Sequence, residues 1–142
     1  MSNIATSINQ SKQLQSLGLS ADTADMNYCN SSYKGKDYIG EWKLSLQSPQ
    51  EAKSILDMSA TSWNTYWEII PAWSLSRLLE LMPYNISDNK AVYNFKLEKK
   101  VNSWWCYHEN FGSSSTPIVK RDNPIDAAFE MMCYLLENKL IK

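Results

Sequence analysis

The chain has 142 residues, 44% hydrophobic and 20% charged, which is enough to bury a core without metal or disulfide staples. Its net charge of −1 provides no overall field drawing it toward nucleic acid or an anionic membrane. Its three cysteines, Cys29, Cys106 and Cys133, are odd in number and widely spaced, which argues against a disulfide framework and fits a reducing compartment.

From the N-terminus, Ile4, Ile8, Leu14 and Leu17 predict a helix over 4–17, with Gly18 as its closing glycine. No basic, then apolar, leader pattern opens the chain, so a cytoplasmic location is expected. Ser20 is placed to cap a short turn through Ala24. Residues 27–37, rich in Asn, Ser, Gly and Lys, have the composition of a loop. Trp42, Leu44 and Leu46 alternate with polar residues, predicting a strand over 38–46. Ser48-Pro49-Gln50-Glu51 combines a capping hydroxyl, a proline at the first helical position and a glutamate that can reach back, which predicts a helix over 49–57.

Tyr66, Trp67, Ile69 and Ile70 predict a strand over 64–70 that Pro71 ends. Ser74 follows as the cap of a helix over 75–82, with Leu75, Leu78, Leu79 and Met82 on one stripe and Pro83 closing it. Tyr93, Phe95 and Leu97 alternate as in a half-buried strand. Trp104–His108 reads as its antiparallel partner across a hairpin. Residues 111–121 contain a glycine, serines and Pro117 and predict a loop. Asn123, Pro124 and Asp126 then start a long helix with Ile125, Ala128, Phe129, Met132, Leu136 and Leu140 inward and Asp126, Glu130 and Glu137 outward.

This order predicts an α+β fold. We expect one two-layer domain over 1–142, with about four strands in an antiparallel or mixed sheet and helices mainly on one face. Residues 29–65 stand out as a possible insertion.

No motif fixes a reaction, and no catalytic, metal or cofactor residue is assigned. The scattered carboxylates Glu68, Glu80 and Glu109 give no acid/base pair. Cys106 and His108 share a strand face and are the one arrangement that could serve a Cys/His enzyme. The plainer reading is a small apolar cysteine and a part-exposed histidine on a sheet, with Cys106 chemically quiet. Trp104, Trp105 and Tyr107, with His108, form the candidate binding surface. Trp105 and Tyr107 lie on one face and Trp104 on the other. Six Trp and eight Tyr exceed what a small core needs, so a protein partner or self-association is expected there. Weak single-stranded nucleic-acid binding is the alternative, disfavoured by the charge. Tyr134, among Glu130 and Glu137, is a further possible anchor. No apolar run nears the roughly 18 residues of a membrane span.

Three segments carry a resemblance: Gly18–Met26, Ile70–Pro83 (beginning Ile70-Pro71-Ala72-Trp73-Ser74) and Pro124–Asn138 (beginning Pro124-Ile125-Asp126-Ala127-Ala128). The chain resembles short uncharacterised proteins encoded in prophages and other mobile elements of gut Bacteroidetes. The resemblance implies a cytoplasmic bacterial accessory protein and brings no activity or catalytic residue with it. The leading expectation is a non-enzymatic interaction module.

Overall fold

In the computed structural model, which describes residues 4–33, 41–59, 65–87, 92–110, 113–114 and 116–141, the first helix is fixed by its two ends. The Ser7 hydroxyl accepts from the Gln10 amide and the Gln10 side chain accepts from the Ser7 amide, a capping box that opens α1 at Ile8 (Ile8–Ser16). The helix thus starts at Ile8 rather than Ile4, because the cap outweighs the apolar spacing. Gly18, at φ +103°, closes it. Its amide donates to the Gln15 carbonyl and that of Leu19 to the Leu14 carbonyl, each at 3.0 Å.

The chain divides into two compact units. Ser7–Ser74 contains α1, a 3-10 turn at Ala21–Thr23 capped by Ser20, and a three-stranded antiparallel sheet. Its strands are β1 (Met26–Tyr33), β2 (Lys43–Ser45) and β3 (Thr65–Ala72), in the order β2-β1-β3. Helix α2 (Pro49–Ser59) opens with the Ser48 hydroxyl accepting from the Glu51 amide, and α1 and α2 both contact β3.

Three expectations change in this unit. The segment 27–33 is the central strand, not a loop, since backbone pairing on both sides outweighs the poor strand propensity of Asn and Ser. Residues 34–37 of that expected loop, and 38–40 of the strand expected over 38–46, lie outside the described residues. Strand β2 ends at Ser45, whose hydroxyl accepts from the Gln47 amide and turns the chain, so Leu46 is exposed instead of continuing the alternation. Pro71 sits inside β3, opposite Asn27, and does not end it. β3 is an edge strand, where a missing N–H need not remove a ladder bond. The described part of 29–65 contributes most of β1 together with β2 and α2.

The other unit joins Met1–Thr6 to Leu75–Lys142. It holds α3 (Leu75–Leu81), β4 (Asn85–Ser87), β5 (Val92–Lys99), β6 (Trp104–Asn110), β7 (Ser113–Ser114), β8 (Val119–Arg121) and α4 (Pro124–Glu137). The sheet runs β4-β5-β6, with β7 and β8 both pairing with β6, and every pairing is antiparallel. The hairpin appears as expected, with Lys99 opposite Trp104. Strands β7 and β8 fall within the expected loop 111–121. They carry no apolar alternation, and both become strands by pairing with β6.

Asn123 caps α4, its side chain accepting from the Asp126 amide at 2.9 Å, with Pro124 at the first helical position as expected. The helix is buried more widely than one stripe. Ile125, Ala127, Ala128, Met131, Met132, Cys133 and Leu135 are all inside, while Leu140 lies beyond the helix end and is exposed. The breadth follows from its neighbours, since α4 packs on β6 and β8 and also on α3. The chain is therefore α+β, with its strands in two antiparallel sheets.

Within α3, Leu78 is 0% exposed while Leu79 is only half-buried. Leu78→Ala should cost about 2–5 kcal/mol, the range for a fully buried leucine, and Leu79→Ala clearly less. Urea midpoints of the two variants check this. Equal losses would contradict the different burial of the two side chains.

Candidate functional site

Strand β6 carries Trp104, Trp105, Cys106, Tyr107 and His108, and its cross-strand register sorts them. Cys106 faces Leu97 and Val119, His108 faces Phe95, and Trp104 faces Lys99 and Arg121. This is the side on which α4 packs: the guanidinium of Arg121 is paired with the Glu130 carboxylate of α4. Trp105 faces Glu98 and Lys120, and Tyr107 faces Lys96, on the outer side. The expected split of Trp105 and Tyr107 from Trp104 holds, and Cys106 and His108 do share a face.

That inner face is closed. Cys106 and His108 are each 0% exposed. Burial pushes the Cys106 thiol up to about 12, so the thiolate a nucleophile needs is scarce at neutral pH. The His108 Nε2–H donates to the Pro83 carbonyl at 3.2 Å, which fixes the tautomer, and the ring meets Phe95 edge-on at 5.3 Å. The backbone amide of His108 donates to Thr116 Oγ1 at 3.0 Å. Nδ1 is buried with no hydrogen-bond partner among the described residues. Burial, partly offset by the Pro83 contact, holds the imidazole below its usual range. His108 is thus a core residue and presents no surface to a partner, contrary to the part-exposed strand histidine read from the sequence. Its burial depends on what α4 covers, which local pattern does not reveal.

The outer face is a lattice of aromatic and charged groups. The Lys120 ammonium lies 4.1 Å from the centroid of the Trp105 ring and that of Lys100 lies 5.2 Å from it, both in cation–π range. The indole N–H of Trp105 donates to Ser103 Oγ at 2.8 Å. Lys100 is paired with Glu98 at 2.9 Å, and the Tyr107 hydroxyl donates to the same carboxylate at 3.0 Å. Lys100 and Tyr107 together hold Glu98 below the usual carboxylate range. Burial, then the Glu98 hydrogen bond, pushes Tyr107 up to about 12. Tyr107 is itself buried, so Trp105 is the half-exposed aromatic of this face. Trp104, also half-buried, has the Lys99 ammonium 5.9 Å from its ring on the opposite side. Tyr134, on α4, is half-buried.

Lys100 and Lys120 lie near the hairpin aromatics in sequence, but no local pattern places them against Trp105. Lys100 and Val101 belong to the hairpin turn, where Val101 is 96% exposed. Lys120 reaches Trp105 only through the β6–β8 pairing. Among the described residues no group of three or more His, Cys, Asp and Glu side chains forms a metal-ligand set, and no helix is long and apolar enough to cross a membrane. Comparison with protein-family models, with curated proteins and with solved structures finds no match to this chain.

Two outcomes are expected. Iodoacetamide at neutral pH should label half-buried Cys29 before Cys106 and Cys133, and Cys106 should react far more slowly than free cysteine. Rapid labelling of Cys106 in the folded chain would reverse the reading of the inner face. Second, the lowered folded-state value of His108 means that the unfolded chain binds the proton first on acidification. Stability should be full above about pH 6.5, the value of an unperturbed histidine, and fall as the pH drops below it. His108→Gln should flatten that dependence between about pH 7 and 5 in urea-unfolding midpoints. An unchanged slope would show that other groups set it.

Proposed function

We propose that the chain is a non-catalytic protein-interaction module of a bacterial mobile element, acting in the cytoplasm and contacting its partner with the hairpin end of the five-stranded sheet. The observation that carries this reading is the placement of Trp105. Its ring is half-exposed on the outer face with two lysine ammonium groups against it, next to the exposed turn at Val101. Tryptophan in such a setting is a frequent anchor of protein contacts, because it brings large apolar area at little cost in side-chain entropy. The alternative of a Cys/His enzyme draws no support from the inner face, where both groups are buried and the thiol is protonated at neutral pH. The mobile-element setting and the cytoplasmic location rest on the resemblance of the three segments named above.

Photo-cross-linking in the native host tests the reading. A photoreactive residue is placed in turn at Val101, Tyr84 and Leu46, all exposed apolar positions. A discrete protein adduct or a homodimer is expected, strongest from position 101. The absence of a discrete adduct from all three positions would overturn the interaction reading.

A further inference from the structure

We propose that the partner segment recognised at the hairpin end is an acidic peptide. One of its carboxylates pairs with Lys120, and a neighbouring apolar side chain lies on Val101 and the edge of Trp105. The inference rests on the protein-interaction reading and names the chemistry of the partner. Three observations favour it over other anionic ligands.

The first is unspent positive charge. Lys100 is balanced by Glu98, but Lys120 has no carboxylate partner among the described residues. An ammonium held over an indole ring is already positioned, so less freedom is lost when a carboxylate binds it. The second is the ring itself. Base stacking requires an open aromatic face, and at Trp105 two ammonium groups within cation–π distance crowd the ring. A nucleobase would have to displace a lysine, whereas a carboxylate takes Lys120 where it stands. The third is Val101, 96% exposed at the turn between Lys100 and Asn102. Phosphate recognition has no use for an apolar side chain there, while a peptide alternating acidic and apolar residues can cover it and keep a carboxylate on Lys120.

The test titrates the full chain into three fluorescently labelled probes at low salt. They are a peptide of about eight residues alternating glutamate and leucine, an oligothymidylate of the same net charge, and vesicles containing phosphatidylserine. Anisotropy reads the first two and co-sedimentation the third. The peptide should bind saturably, and salt should weaken it as it screens exposed charges over a Debye length of about 8 Å at physiological strength. Lys120→Glu and Val101→Glu should each weaken it at least about fivefold, as loss of a contact at an interface centre does. Both positions are exposed, so the variants should keep the fold, and far-UV circular dichroism checks that they do. Tighter binding of the oligonucleotide or the vesicles, equal peptide binding by either variant, or no saturable binding up to about 1 mM would overturn the proposal. If peptide binding fails while a discrete adduct still forms from position 101, this inference falls and the interaction reading stands.

Discussion

Because strand side chains alternate between two faces, one covering helix decides the surroundings of a whole strand at once. Helix α4 does this for β6. Its buried surface, Ile125 through Leu135, lies on β6 and β8 and against α3, and so turns Trp104, Cys106 and His108 inward and leaves Trp105 and Tyr107 outward. A register slip of one residue would place the Glu109 carboxylate under α4 and expose His108. The cost of burying that carboxylate without a partner is what opposes the slip. The quiet thiol, the neutral imidazole and the solvent-facing tryptophan are three results of the same packing.

On the outer face the charges are arranged against one another. Glu98 takes Lys100 and the Tyr107 hydroxyl, and Lys96 approaches Glu109 at 4.0 Å. Surface pairs of this kind add little stability, commonly up to about 1 kcal/mol. Their effect here is positional. By neutralising most of the face they leave Lys120 as its uncompensated cation among the described residues, directly over Trp105. The whole-chain charge of −1 hides this, because net charge averages a local surplus with acidic residues elsewhere.

The legible parts of the fold were those set by short-range hydrogen bonds or by alternation. Gly18, Ser48 and Asn123 each close or open a helix through bonds to residues close by in the chain, so their roles can be read from the sequence. Tyr93, Phe95 and Leu97 alternate against a sheet with one covered face, and the hairpin follows from them. What escaped depends on distant partners. β1 is rich in Asn and Ser and becomes a strand because β2 and β3 flank it. Its Asn27 side chain donates to the Gln47 carbonyl, a bond no local pattern announces. The candidate site divides in the same way. The opposition of Trp104 and Trp105 follows from strand geometry alone. The burial of Tyr107 and His108, and the placement of Lys120 on Trp105, depend on α4 and β8.

The two sheets also differ in how far apart their paired residues lie in the chain. In the five-stranded sheet each strand pairs with one close by in sequence, beginning with the tight turn that sets Lys99 against Trp104. In the three-stranded sheet β1 meets β3 only after the whole of β2 and α2 has intervened, with Met26 opposite Ala72. Closing a long loop loses chain entropy before any pairing compensates it, whereas a short hairpin forms in about 1–10 μs. The consequence is a kinetic order. The hairpin carrying Trp105 takes shape early in refolding, and the central strand of the other sheet waits for its distant partner, with Asn27 and Asn30 still solvated until β3 arrives.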